Sequence, residues 1–326
     1  MPYQAHHTTQ SYLEQVKKHT EPYKAEVLGK EMIVYPNVMS PKYDWSSRFH
    51  AENMPDQKGK SFLEIGCGCG ILSLFAALQG AKRIFAVDIN PNAVENAKEN
   101  LSKYGVKDFE VHYSDVFENV EGTFDTINFA APYHGNKPNE ILEYGVSDPE
   151  YSALKIFLHD ARKHLNKHGQ LVLGFSSTGD ADLLNELIIE NKWLIKDFKE
   201  ESNYDWKAYL YVLEAIEFKN KTQEFIYEDE YSWFKKYVGE VRDGKILKVG
   251  YGLGYLSYFI KLYNPNITSI DIQVDAEAIN PDGVKIYDGD NIPFSDREFE
   301  VVICTYTLHH TPNPSKLFSE IVRVSS

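Results

Sequence analysis

Apolar residues recur along the first two thirds of the chain in two alternating rhythms. Short unbroken runs such as Ser61–Ile65 have the length of buried strands, whereas Ile71, Leu74, Phe75 and Leu78 repeat at the spacing of a helix with one buried face. Further strands are predicted at Arg83–Val87, Phe109–Tyr113, Phe124–Phe129, Gln170–Phe175, Trp193–Phe198 and Ala208–Ile216. Helices are predicted at about 149–166 and 181–191. Another starts at Asn90-Pro91, an N-cap followed by a first-turn proline, and keeps Ala93, Val94, Ala97 and Leu101 on one side. Strands alternating with helices predict an α/β fold, a doubly wound Rossmann-like seven-stranded sheet over residues 59–217.

Residues 1–58 precede this domain as an extension, with a helix at "SYLEQVKK" and short strands in "AEVLGKEMIVYPNVMSPKYDWSS". The periodicity is lost in "EFKNKTQEFIYEDEY" (217–231), and 218–240 is read as a solvated linker. A second alternation starts at Lys245–Val249, with strands near Ile267–Ile270, Val284–Tyr287 and Glu300–Cys304 and a helix at about 314–322. Residues 241–326 therefore look like a second, incomplete copy of the same fold in tandem.

Composition narrows the setting. No run of about 18 apolar residues suggests a membrane span. Cys67, Cys69 and Cys304 are too few for a disulfide framework, which fits a cytoplasmic protein. The formal net charge of −14 opposes generic binding to phosphate backbones, so nucleic acid is disfavoured and a small-molecule or protein substrate is expected. Oligomeric state is not encoded in any pattern here. Cys67-x-Cys69 lacks the paired ligands of a metal site, so no metal is expected. His6, His7, His50, His112, His159, His164 and His168 show no ligand spacing and are assigned to surface or core.

The chemistry concentrates after the first strand. "FLEIGCGCGILS" places Gly66, Gly68 and Gly70 between a strand and a helix start, where glycines allow a sharp turn and close approach of backbone N–H groups to a ligand. The spacing is G-x-G-x-G, unlike the G-x-G-x-x-G of a dinucleotide site, which argues against an oxidoreductase. Asp88, 18 residues after Gly70, ends the next strand and can accept from both hydroxyls of a ribose. Asp115 ends the third strand, within the range of an adenine amino group, and Glu64 can face an ammonium. Ammonium, carboxylate, ribose and adenine together describe S-adenosylmethionine.

Residues 62–117 resemble the class I S-adenosylmethionine-dependent methyltransferases, in particular the ribosomal-protein lysine, HemK-type and small-subunit guanine methyltransferases. The resemblance implies that Glu64, Gly66, Cys67, Gly68 and Gly70 hold the methionine end. It assigns the ribose to Asp88, Ile89 and Asn90 and the adenine to Asp115 and Val116, with Ala130 at the cofactor's edge. "YPNVMSPKYDWSS" resembles the segment that closes over the cofactor in those groups.

The fourth strand ends in "NFAAPYHGN" (128–136). In the HemK-type and guanine-modifying groups this position reads Asn-Pro-Pro-Tyr or Asn-Pro-Pro-Phe, and the Asn accepts from a planar amide or exocyclic amine. Pro132 and Tyr133 match and are read as substrate contacts. Ala130 replaces the Asn, which places amide or base methylation in doubt, and Asn128, two residues back on the same face, is a weak substitute. Tyr133 and His134 are the candidate catalytic residues, His134 as a base. The long segment 134–150 is a candidate lid.

The second copy repeats the turn in "ILKVGYGLGYLS", with Asp271 after 17 residues. "YDGDNIPFSDREFEVVICTYTLHHTPNPSKLFSEIVRV" resembles another class I methyltransferase group, but Lys248 stands where that group carries an acid and should weaken binding of the methionine ammonium. The expected activity is in-line methyl transfer to a nitrogen or oxygen of a small molecule or amino-acid side chain. The alternatives are a ribosomal-protein or rRNA N-methyltransferase, or a non-catalytic S-adenosylmethionine-binding module.

Overall fold

Tyr12, Leu13 and Val16 recur at helical spacing and are buried on α1 (Thr9–Lys17). The computed structural model describes residues 9–203 and 205–326, so His6 and His7 lie outside the described residues. Strands β1 (Tyr23–Val27) and β2 (Lys30–Val34) form a hairpin. Its two-residue turn, Leu28-Gly29, has positive φ at both positions (48° and 72°), the geometry that suits the right-handed twist of paired strands. Helix α2 (Ser46–Asn53) follows; it was not foreseen, and Asp44 starts it by accepting from the backbone N–H groups of Ser46 and Ser47 at 3.0 Å each.

The main sheet follows in β3 (Ser61–Ile65), α3 (Ile71–Leu78), β4 (Arg83–Asp88), α4 (Pro91–Lys103), β5 (Phe109–Tyr113), β6 (Phe124–Ala130), α5 (Ser152–Asp160), β7 (Leu165–Ser176), α6 (Ala181–Glu190), β8 (Trp193–Asn203) and β9 (Trp206–Ala215). Its seven strands lie in the order β5-β4-β3-β6-β7-β9-β8. Strands β5 to β7 run parallel, and β9 pairs antiparallel with both β7 and β8. Alternate side chains of β3 feed two cores: Leu63 and Ile65 pack with Leu154, Phe157 and Ile188 of α5 and α6, and Phe62 packs with Leu74, Ala97 and Leu101 of α3 and α4. The strand order reverses between β3, β4 and β6, which opens a crevice at their carboxyl ends.

Two boundaries differ from expectation. The helix expected from about 149 starts only at Ser152, because Asp148 caps it there, accepting from Ala153 N at 3.0 Å and Leu154 N at 3.1 Å, and Glu150 and Tyr151 hold positive φ. The hairpin β1–β2 is no loose extension: on α4 the buried Asn96 and Asn100 both donate to Ile33 O, and their own oxygens accept from Tyr35 N and Ile33 N. Two carboxamides one turn apart thus saturate the strand edge that β2 would otherwise leave open.

The chain divides into two units, Met1–Ile216 and Glu217–Ser326. In the second unit the expected linker is α7 (Lys221–Tyr237), whose Tyr227, Tyr231 and Phe234 are buried. The helix period was masked by the acidic residues that fill its exposed face. It is capped by Asn220, whose side chain accepts from Gln223 N. Then come β10 (Ile246–Val249), α8 (Tyr255–Tyr263), β11 (Ile267–Asp271), β12 (Lys285–Ile286), β13 (Val301–Cys304) and α9 (Pro314–Val324). Four parallel strands in the order β12-β11-β10-β13 repeat the β5-β4-β3-β6 half of the first sheet, an incomplete copy of the same fold.

Candidate cofactor and substrate site

The glycine turn leaves β3 at the crevice. Gly66, Gly68 and Gly70 have φ of +69°, +53° and +80°, the left-handed region that glycine alone enters without a Cβ penalty. A Cβ on Gly70 would also lie 3.0 Å from Ala97 Cβ, whereas one on Gly68 would meet nothing within 4 Å. The first position therefore serves packing of α3 on α4, and the second faces open space.

Glu64 is buried and accepts from Ser73 N at 2.8 Å and from the Ser73 hydroxyl, at the start of α3. Burial pushes its carboxyl up to about 8 despite these bonds. Such a group lacks a cation, which an ammonium in the crevice would supply. Asp88 Oδ2 accepts from Gly68 N and Oδ1 from Asn90 N, both at 2.8 Å, and burial raises its carboxyl to about 6. Each oxygen retains a second lone-pair direction for a hydroxyl. Asn90 caps α4 through Asn92 N at 3.0 Å and donates to Asn37 O at 2.6 Å, which ties the N-terminal segment to the turn. Ser114 N donates to Asp88 O at 3.1 Å, and beyond it Val116 takes a φ of +45° while Asp115 stays exposed. Burial, with Glu118 and Asp148 nearby, raises the Asp115 carboxyl.

These residues line a cavity of about 570 Å³, within the range of small-ligand sites. Its wall includes Glu64, Gly66, Cys67, Gly68, Asp88, Ile89, Asn90, Asp115, Val116, Ala130, Pro132 and Tyr133. Gly70 lies just beyond, at the N-cap of α3. The segment 37–50 forms another part of the wall, with Trp45 and Phe49, and Trp206 and Tyr209 of β9 contribute further rings. Trp45 and Trp206 lie 4.7 Å apart between ring centroids. Leu142 and Val146 of the segment 134–150 pack on Tyr12, Leu13 and Val16 of α1, and Lys17 pairs with Glu140 and Glu143.

Besides Gly70, two expected site residues are not on the wall. His134 is held by its backbone, which donates to Val146 O at 3.0 Å and accepts from Asp148 N at 2.8 Å, and its Nε2 lies 3.1 Å from Thr9 Oγ1. The ring is spent on α1, so His134 is not positioned as a base. Tyr133 does reach the cavity; its hydroxyl lies 3.2 Å from Thr9 Oγ1, and burial raises it to about 12, so it stays a neutral phenol. Asn128 is fully buried behind the wall, with Oδ1 2.9 Å from His50 Nε2. His50, like Trp45, Phe49, Trp206 and Tyr209, is a wall residue that the sequence pattern does not single out: one histidine without a spaced partner carries no signal, and only α2 brings it to the crevice.

In the second unit Asp271 repeats the Asp88 contact, accepting from Gly252 N at 3.3 Å, and also accepts from Tyr251 N at 2.6 Å. Lys248, at the position of Glu64, is buried and donates to Gly250 O, with Glu230 of α7 as its carboxylate neighbour.

A seven-stranded sheet with this order, a three-glycine turn, an acid at the next strand end and an ammonium-seeking glutamate define a class I S-adenosylmethionine-dependent methyltransferase. Residues 31–195, half of the chain, match the model of the methyltransferase small domain, and the chain belongs to that family. Residues 247–326 match a methyltransferase domain model. A provisionally named protein N5-glutamine methyltransferase from Methanocaldococcus jannaschii is 36% identical over 171 residues, 50% of this chain and 84% of that protein. The ribosomal protein L11 methyltransferase of Thermotoga maritima is 31% identical over 150 residues, 45% of this chain and 49% of that protein. The ribosomal RNA small subunit methyltransferase C of Citrobacter koseri is 35% identical over 118 residues, 36% of this chain and 31% of that protein. The chain thus spans about half or less of the ribosome-directed relatives described here.

The protein is an S-adenosylmethionine-dependent methyltransferase, and the reading as a non-catalytic binding module is set aside. The expected partners are corrected too. These relatives are named for a ribosomal protein, a protein glutamine and ribosomal RNA, so a small molecule finds no support and net charge is no ground for excluding nucleic acid. Net charge sums the whole surface, whereas a substrate meets only one patch of it. Among the described residues no helix is long and apolar enough to cross a membrane.

Proposed function

We propose that the first unit methylates a side-chain nitrogen of a protein of the translation machinery. The observation that carries this reading is the charge of the cavity wall. Among its described residues are Asp44, Glu64, Asp88, Asp115, Asp148 and Asp205, and no Lys or Arg. A neutral or positively charged side chain enters such a wall without needing a cation to receive it.

Glu64 and the turn Gly66–Gly70 would hold the methionine end, Asp88 and Asn90 the ribose, and Asp115 with Val116 the adenine. When bound, S-adenosylmethionine supplies a methyl group on a sulfonium, open to in-line attack. The protein's part is to exclude water and to aim the acceptor nitrogen. Pro132 and Tyr133 form one rim, and Trp45, Phe49, Trp206 and Tyr209 offer flat faces to the substrate.

The close Trp45 and Trp206 rings favour a second reading, a ribosomal RNA base turned out of its stack into the cavity. Either substrate belongs with ribosomes, in the cytoplasm. Incubating the protein with methyl-labelled cofactor and ribosomes, then separating protein from RNA, tests the choice. Label in a ribosomal protein is expected. Label in RNA selects the second reading, and label only in a small-molecule extract overturns both.

A further inference from the structure

The end of β6 lacks the side-chain acceptor of the Asn-Pro-Pro-Tyr enzymes, and a buried imidazole stands beside the gap. Ala130 pairs in register with Gly174 of β7. His50 lays its ring over that glycine: a Cβ on Gly174 would lie 2.8 Å from His50 Cε1, 2.9 Å from Nδ1 and 3.4 Å from Ala130 Cα. The Cε1–Nδ1 edge is therefore set at the ends of β6 and β7, and His50, Ala130 and Gly174 all line the cavity.

The other edge fixes the tautomer. His50 Nε2 lies 2.9 Å from Asn128 Oδ1, an amide oxygen that only accepts, so Nε2 carries the hydrogen and Nδ1 keeps its lone pair. That assignment follows the amide orientation, in which Asn128 Nδ2 is left without a partner. Nδ1 takes no hydrogen bond from any described residue. Burial lowers the imidazole to about 4, which keeps it neutral.

We infer that His50 Nδ1 is the hydrogen-bond acceptor for the substrate nitrogen, taking the place of the missing asparagine, with Asn128 as the residue that positions it. This rests on the N-methyltransferase reading and sharpens its substrate to a planar, conjugated nitrogen, a side-chain amide. The substrate N–H donates to Nδ1, which turns the nitrogen lone pair toward the methyl group. That lone pair forms the new N–C bond while the C–S pair returns to sulfur and leaves a thioether. Methylation makes the amide nitrogen cationic and strongly acidic, and its proton passes to Nδ1 and on to water. An aliphatic ammonium must lose its proton before attack, and an imidazole this hard to protonate does not take it.

The test combines nitrogen-15 NMR of the full chain with His50→Ala, His50→Gln and Asn128→Ala. At pH 7.5 the His50 signals should show hydrogen on Nε2 and a bare Nδ1. His50→Ala should lower kcat on labelled ribosomal protein about 100-fold, with S-adenosylmethionine affinity by calorimetry changed less than about two-fold. His50→Gln, whose amide oxygen can accept, should recover part of the rate, and Asn128→Ala should move both the tautomer and kcat. Hydrogen on Nδ1, wild-type kcat in His50→Ala, or a His50→Gln rate no better than that of His50→Ala overturns the inference. If the wild type labels neither protein nor RNA, the substrate reading fails, and the NMR signals still decide the acceptor.

Discussion

Gly68 donates its backbone N–H to Asp88 Oδ2 at 2.8 Å, so the acid that ends β4 also holds the turn that leaves β3. The same carboxylate takes Asn90 N on its other oxygen. Removing it costs the site both a ligand contact and the shape of two loops. Asp88→Ala should weaken S-adenosylmethionine binding at least about 100-fold, two charge-assisted hydrogen bonds being worth roughly 1.5–3 kcal/mol each. Calorimetry measures this, and retained affinity would place the cofactor elsewhere.

Glu64 sets a pH dependence. Burial raises its carboxyl to about 8, so at pH 7 much of it is protonated in the free protein. An ammonium beside it favours the ionised form, so binding should release a proton near neutrality. Affinity should rise from pH 6 toward about 8, then fall as the ligand's own α-amino group loses its charge near that pH. Binding heats in buffers of different ionisation enthalpy count the released proton. No buffer dependence at pH 7 would refute the assignment.

His50 makes stability itself depend on pH. Its folded pKa of about 4 lies below the unfolded value, so the unfolded chain binds a proton that the folded one refuses. The folded state should lose up to about 3 kcal/mol as pH falls from 6.5 to 4 through this group. His50→Gln should flatten that part of the profile in urea unfolding of the first unit.

The middle and last glycines of the turn respond differently to alanine. Gly70→Ala adds a Cβ 3.0 Å from Ala97 Cβ at a φ of +80° and should destabilise the first unit by more than about 1 kcal/mol. Gly68→Ala has free space around its Cβ and carries only the backbone cost. Thermal unfolding should therefore rank Gly70→Ala well below Gly68→Ala.

Lys248→Met removes both the bond to Gly250 O and the charge that offsets part of the burial cost of Glu230, and should destabilise the second unit by about 1 kcal/mol. Adding Glu230→Gln should recover most of that loss. Additive losses in urea unfolding would mean that the two charges do not interact.

Much of this was legible because periodicity and short motifs are local. The strands from Ser61 to Ala215, the glycine turn and the acids at Asp88 and Asp115 all announce themselves within a dozen residues. What failed was non-local or masked. Helix α7 hid its apolar face among acidic residues, and its Tyr227, Tyr231 and Phe234 were read as part of a linker. His134 stood next to the rim in sequence, yet its backbone pairing with residues 146–148 commits the ring to Thr9. His50 lies 78 residues from Asn128, and only α2 folding over β7 brings them together.

The contrast between Glu64 and Lys248 reaches beyond binding. In the second unit the lysine supplies the turn with an ammonium of its own, through Gly250 O. In the first the corresponding position is an acid whose cation must arrive from outside. Cofactor at 100 times its Kd adds about 2.7 kcal/mol to whatever folds around it. One repeat should thus gain in melting temperature when cofactor is present, and the other, already carrying its surrogate, should stay where it was, an unliganded reference within the same chain.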